Sequence, residues 1–216
     1  MSESESESGS ESEIELRSAA RRGSTSASKR RALVLIAEGT EEMEVAIIVD
    51  LLRRAKIEVI LASLERAQHV TCSRGLRIAP DAALSDVCDT SETYDAVVLP
   101  GGAEGADRLA ASPAVAEVLR RHVEAGRLIG AICAAPAALR AHGFGHGRRL
   151  TSHPSVRARV APGADYQESS VVEDGLFVTS RGPGTAFDFA LAIIRRLSGP
   201  EVRAQVLAPL MLEVVP

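Results

Sequence analysis

The chain has 216 residues, with Lys+Arg 25 against Asp+Glu 29, a net charge of −4. Hydrophobic residues make up 45% and charged residues 25%, the balance of a globular chain able to bury a core. The acidic balance disfavours general affinity for nucleic acid or anionic membranes.

The longest uncharged stretch of interest, Leu128–Leu139, has 12 residues and contains Gly130 and Pro136. A helix that spans a bilayer needs about 20. Cys72, Cys88 and Cys133 are an odd set with no paired spacing, which argues against a disulfide framework and against a zinc site. No metal and no cofactor is expected, and a reducing compartment is. The expected location is the cytoplasm. No clear targeting signal chooses between it and the nucleus or mitochondrion.

Met1–Ser28 begins with alternating Ser and Glu and holds six Glu and three Arg. It lacks an apolar stretch, so it reads as a disordered acidic tail ahead of one folded domain over Lys29–Pro216. Phosphorylation of its serines is an alternative use for it. Beyond it, Arg31–Ala37 predicts a buried strand. Thr40 is positioned to cap a helix over Glu41–Ala55. Ile57–Ala62 is the next strand, and Val70–Ala79 a hairpin turned near Arg74-Gly75. Asp95–Leu99 is a buried strand ended by Pro100-Gly101-Gly102. Pro113–Ala125 is a helix with Pro in its first turn. Leu128–Ile132 is a strand and Ala134–Ala141 a helix. Glu173-Asp174-Gly175 suggests a hairpin within Val171–Ser180, turning at Asp174-Gly175. Helices follow over Thr185–Leu197 and Pro200–Leu212. Short apolar strands alternating with helices predict a doubly wound α/β sandwich around a mostly parallel sheet.

Two residues stand out chemically. At about 100° per residue, Glu44 shares the helical face of Ile48, Leu51 and Ala55, while Glu42, Ala46, Asp50 and Arg53 face away. A carboxyl on the buried stripe tends to hold its proton. The alternative is a helix-end Glu that bends to water. Cys133 lies between a buried strand and a helix, at the carboxyl edge where open α/β sheets bind ligands. Small neighbours allow a sharp turn, and a helix N-terminus lowers a thiol's pKa. The alternative is a small buried core Cys. Pro100-Gly101-Gly102 falls on the same edge, where glycine backbone N–H groups can face an oxyanion, although a plain turn is the default. His153, in Thr151-Ser152-His153-Pro154, is a candidate partner for the thiolate. His142 and His146 suit a helix end, and His69 and His122 a surface.

In order along the chain, KRALVLIAEGTEEMEVAIIVDLLRRA, VTCSRGLRIAPDA, YDAVVLPGG, IGAICAAPAAL, TSHP and TSRGPGTAFDFALAI resemble the ThiJ/PfpI superfamily, in its Parkinson-associated protein deglycase branch. The resemblance covers Lys29 to Leu212. It implies a flavodoxin-like sandwich with an extra C-terminal helix, usually as a homodimer. It also implies a nucleophilic Cys133, a protonated Glu44, a nearby His153 and oxyanion donors at the Gly102 and Ala134 N–H groups. Cys72 matches a secondary oxidisable cysteine near the dimer interface, and Ala79 replaces a further family cysteine. Ala134 stands where the protease-like branch has His, which speaks against peptidase activity. The implied reaction is glutathione-independent conversion of methylglyoxal or glyoxal to lactate or glycolate. The same attack on early glycation adducts would be deglycase activity. The rival role is an oxidative-stress sensor or redox-regulated chaperone acting through oxidation of Cys133.

Overall fold

The computed structural model describes residues 29–88 and 94–212; the expected tail Met1–Ser28 and the last residues of the expected domain, 213–216, lie outside these. In chain order the elements begin with β1 (Arg31–Ile36), α1 (Glu42–Arg54), β2 (Glu58–Ser63), β3 (Val70–Thr71), β4 (Arg77–Ile78), β5 (Ala82–Ala83) and α2 (Leu84–Val87). The middle of the chain forms β6 (Ala96–Leu99), α3 (Ala103–Ala111), α4 (Pro113–Glu124), β7 (Leu128–Ile132) and α5 (Pro136–Ala141). The last third forms β8 (Arg149–Leu150), α6 (Arg157–Val160), β9 (Asp165–Tyr166), β10 (Val171–Asp174), β11 (Phe177–Ser180), α7 (Ala186–Ser198) and α8 (Pro200–Leu207).

Seven strands form the central sheet in the order β10-β11-β7-β6-β1-β2-β5. Its pairs are parallel except β10 with β11. The alternation of a strand sends successive side chains to opposite faces. Ala32, Val34 and Ile36 of β1 pack with α1 and α7, whereas Leu33 and Leu35 pack with residues of α3 and α4. Val98 and Val97 of β6 divide the same way. Both faces are therefore covered, which is why these strands read as continuous apolar runs. The flavodoxin-like sandwich is the architecture observed. Helix α8 is the extra C-terminal helix, and a 3₁₀ turn over Ala208–Leu210 follows it. No helix among the described residues is long and apolar enough to cross a membrane.

Several local expectations change. Thr40 does not cap α1. Its hydroxyl donates to the Ala37 carbonyl at 2.7 Å and accepts the Ala37 N–H at 2.9 Å, so Glu41 becomes the cap. Glu42 is buried rather than solvent-facing, because the β3–β4 hairpin covers it. The Ser73 hydroxyl and the Arg74 N–H each donate to its carboxylate at 2.8 Å. His122 is buried rather than superficial, with Nδ1 2.8 Å from the Val118 carbonyl. The hairpin near residue 175 turns at Gly175-Leu176, one residue later than expected. Asp174 closes it, and its side chain accepts the Arg149 N–H at 2.9 Å.

Candidate active site

Strand β1 leads to α1 on one side of the sheet's centre, while β6 leads to α3 on the other. The crevice between β1 and β6 is thus the switch point where open α/β sheets place ligands. Three segments meet there: the first turn of α1 with Glu44, the loop Pro100–Gly102 after β6, and Cys133 after β7.

Cys133 has φ 62, a left-handed conformation that costs a non-glycine residue about 1 kcal/mol or more. Backbone bonds hold it there. Its N–H donates to the Ser180 carbonyl at 3.0 Å, and its own carbonyl accepts the His153 N–H at 2.8 Å. The strand therefore ends in a sharp elbow that presents a partly exposed side chain at the sheet edge.

Glu44 is completely buried. The Gly101 N–H donates to its Oε2 at 2.6 Å, whereas its Oε1 accepts no hydrogen bond. The carboxyl lies beside the Cys133 thiol. Burial, opposed in part by the Gly101 N–H and helped to a smaller extent by the adjacent charge of Glu41, leaves Glu44 pushed up to about 7. Burial and the Glu44 carboxylate likewise push the Cys133 thiol up to about 12, against N–H groups of Gly102 and Ala134 that favour the thiolate. The expected lowering by the following helix does not prevail: α5 begins only at Pro136, and a buried acidic neighbour outweighs it. Two acids in one dry site cannot readily ionise together, so the pair retains one proton across neutral pH. That proton sits on sulfur when Glu44 is ionised, and its transfer to Glu44 gives a carboxylic acid beside a thiolate that the Gly102 and Ala134 N–H groups favour.

The site is built without spare volume. A Cβ on Gly101 would lie 2.6 Å from the Cys133 Cβ and 2.9 Å from Glu44 Oε2. Gly102 has φ 89, and a Cβ there would lie 2.2 Å from the Gly39 carbonyl oxygen. Only glycine fits at either position.

The structure thus brings together Glu44, Cys133, Gly102 and Ala134. His153 adjoins them through its backbone; its ring is exposed, with Nδ1 2.7 Å from Ser155 Oγ. Cys72 is buried, and desolvation with the charges of Glu42, Glu41 and Glu38 pushes its thiol up to about 11. Two residues escaped sequence reasoning. The Gly101 N–H, expected either to face an oxyanion or simply to belong to a turn, instead donates to Glu44. Glu41 caps α1, a place where Glu is not a favoured residue type, so no sequence signal marked it. Among the described residues, no group of three or more His, Cys, Asp or Glu has a metal-holding arrangement.

Residues 30–196 match the model of the DJ-1/PfpI family. The Parkinson disease protein 7 homolog of Danio rerio is 49% identical over 186 residues, 85% of this chain and 98% of that protein. The glutathione-independent glyoxalase DJR-1.2 of Caenorhabditis elegans is 42% identical over 188 residues, 86% of this chain and 98% of that one. The crystal structure of Drosophila melanogaster DJ-1beta superposes with a TM-score of 0.83 at 44% identity, covering 86% of this chain and 99% of that one. The shared sandwich and this extent of sequence identity have one meaning: the chain belongs to the DJ-1/PfpI family.

Proposed function

We propose that this protein is a glutathione-independent glyoxalase that needs no cofactor and converts methylglyoxal or glyoxal to lactate or glycolate. The observation that carries the reading is the buried Glu44 carboxyl lying beside the Cys133 thiol, between backbone N–H donors. The glyoxalase name of the Caenorhabditis elegans relative supports it.

The Cys133 thiolate adds to the aldehyde carbon, and the Gly102 and Ala134 N–H groups stabilise the oxyanion. Glu44 protonates that oxygen to give a hemithioacetal. As a carboxylate, it then takes the proton from the former aldehyde carbon, forming an enediol, and returns one to the neighbouring carbon. The aldehyde carbon is oxidised to a thioester while the neighbouring carbonyl is reduced to an alcohol. Water hydrolyses the thioester, releasing the hydroxy acid and the thiol. A Glu near pKa 7 suits both proton steps. His153 positions the elbow through its N–H bond to the Cys133 carbonyl. On an early hemithioacetal or hemiaminal adduct the thiolate displaces the glycated thiol or amine, which leaves with a proton, and the same proton transfers and hydrolysis then supply deglycase activity.

The test is lactate production from methylglyoxal without glutathione. Cys133→Ser is expected to abolish it and Cys72→Ser to retain most of it; equal activity in Cys133→Ser would remove the assignment. The carboxyl beside the sulfur also favours a second reading, because a protonated Glu44 can donate to a sulfinate oxygen. Selective oxidation of Cys133 under mild peroxide, seen by mass spectrometry with negligible lactate formed, would make it a redox sensor with Cys72 at most a secondary site.

We also propose a homodimer. Met43 on the first turn of α1 and Leu76 on the covering hairpin are 56% and 54% exposed, an apolar surface beside the site. Light scattering should give twice the mass of 22.8 kDa, falling to one copy in Met43→Lys/Leu76→Lys. A dimer that survives both changes would place the interface elsewhere. Three free cysteines support a reducing, cytoplasmic setting.

A further inference from the structure

Glu41 makes two bonds that converge on the reactive pair. Its carboxylate Oε2 accepts the Glu44 N–H at 2.7 Å, fixing the first turn of α1 and holding a negative charge beside the Glu44 carboxyl. Its own N–H donates to the Gly101 carbonyl at 3.0 Å. That carbonyl shares a peptide plane with the Gly102 N–H. In a trans peptide the two point in opposite directions. Holding the Gly101 oxygen toward Glu41 therefore aims the Gly102 N–H the other way, toward the Cys133 sulfur. The approach is close: a Cβ on Gly102 would lie 2.7 Å from the Glu41 nitrogen.

We propose that Glu41 is a positioning residue for the Glu44–Cys133 pair: its backbone orients the Gly102 oxyanion donor, and its carboxylate both seats Glu44 and keeps a proton on the pair. The ionisable groups acting on Glu44 are Glu41, from the helix cap, and Cys133, from the elbow; the loop after β6 contributes an N–H. Glu41 is consequently the one charge that can be altered without touching the reacting atoms. Its role in turnover rests on the glyoxalase reading, whereas its role in setting the pair's proton affinity does not.

The experiment compares wild type, Glu41→Gln and Glu41→Ala by two readouts across pH. One is kcat/KM for methylglyoxal. The other is the rate of Cys133 alkylation by iodoacetamide, followed by mass spectrometry, which needs no turnover. Gln keeps an oxygen to accept the Glu44 N–H and removes the charge, so the fold should persist. Without that charge Glu44 ionises more easily. The proton affinity of the pair should fall about three- to tenfold, moving the near-neutral inflection of both profiles to lower pH. Glu41→Ala should show the same shift with a lower thermal midpoint. Alkylation and kinetic profiles of Glu41→Gln that superimpose on wild type would overturn the proposal, even if Glu41→Ala melts early. No lactate production by wild type, together with a Glu41→Gln alkylation profile shifted to lower pH from that of wild type, would sink the glyoxalase reading and leave Glu41's role standing.

Discussion

At the scale of single residues, the site depends on atoms that are missing as much as on those present. Gly101 has no left-handed backbone to excuse it; its constraint is space. A methyl there would sit 2.6 Å from the Cys133 Cβ, 2.9 Å from Glu44 Oε2 and 3.0 Å from the Ala134 nitrogen. In the proposed reaction those neighbours are the nucleophile, the proton carrier and an oxyanion donor, so no relaxation leaves the reaction geometry intact. Gly101→Ala should cost about 1–3 kcal/mol of stability, as overpacking does. It should lower turnover more severely, about 100-fold, because displacements near 1 Å are felt strongly by proton transfer and nucleophilic attack. Urea unfolding and steady-state kinetics on the same preparation separate the two effects. A variant as destabilised as this but with wild-type kcat/KM would show that the close packing is incidental to the chemistry.

At the scale of elements, the long-range skeleton was legible because each central strand is buried on both faces and each flanking helix carries one apolar stripe. Glu44 could be placed on that stripe by counting 100° steps, and Cys133 at a strand-to-helix turn by its small neighbours. What escaped has physical causes. Helix α3 begins directly after Gly102, whose φ is 89, so its beginning looks like the continuation of a turn. Its contact face is Gly105, Ala106 and Leu109, too small to register as an apolar period. Gly105 lies so close to Thr40 that a Cβ would meet the Thr40 Cα and nitrogen at 2.8 Å. That closeness brings α3 against the loop after β1 and is invisible in composition. The burial of Glu42 is not legible in helical periodicity, because the β3–β4 hairpin that folds over its face comes from elsewhere in the chain. The cap moved from Thr40 to Glu41 because a hydroxyl can serve a tight turn at Ala37 or the helix behind it. Proton location is the least legible: the thiol is raised by burial and then by a carboxyl 89 positions earlier in the chain, and only the sheet order brings the two together.

At the scale of the whole molecule, two covered sheet faces leave Glu44 without water, so its proton is coupled to global stability. Its ordinary value of 4.5 is raised to about 7 in the folded chain, chiefly by burial. Below pH 4.5 both states hold the proton and the stabilisation is fully present. Between 4.5 and 7 the unfolded chain ionises while the folded one does not, so stability falls as pH rises. Above 7 both are ionised and the contribution is gone. Buried His122 runs the other way: burial lowers its value below 6.5, so its contribution is present above 6.5 and lost as pH falls. Comparing wild type with Glu44→Gln cancels His122 and every other common group. Gln retains an oxygen for the Gly101 N–H and a donor for the sulfur, but does not titrate. From pH 5 to pH 8, wild type should lose about 2 kcal/mol relative to Glu44→Gln, with nearly all the loss accumulated by pH 7. Urea midpoints across that range measure it. Parallel curves for the two proteins would mean that Glu44 already ionises at its ordinary value, and a carboxylate charged that early could not supply the proton that the hemithioacetal step requires.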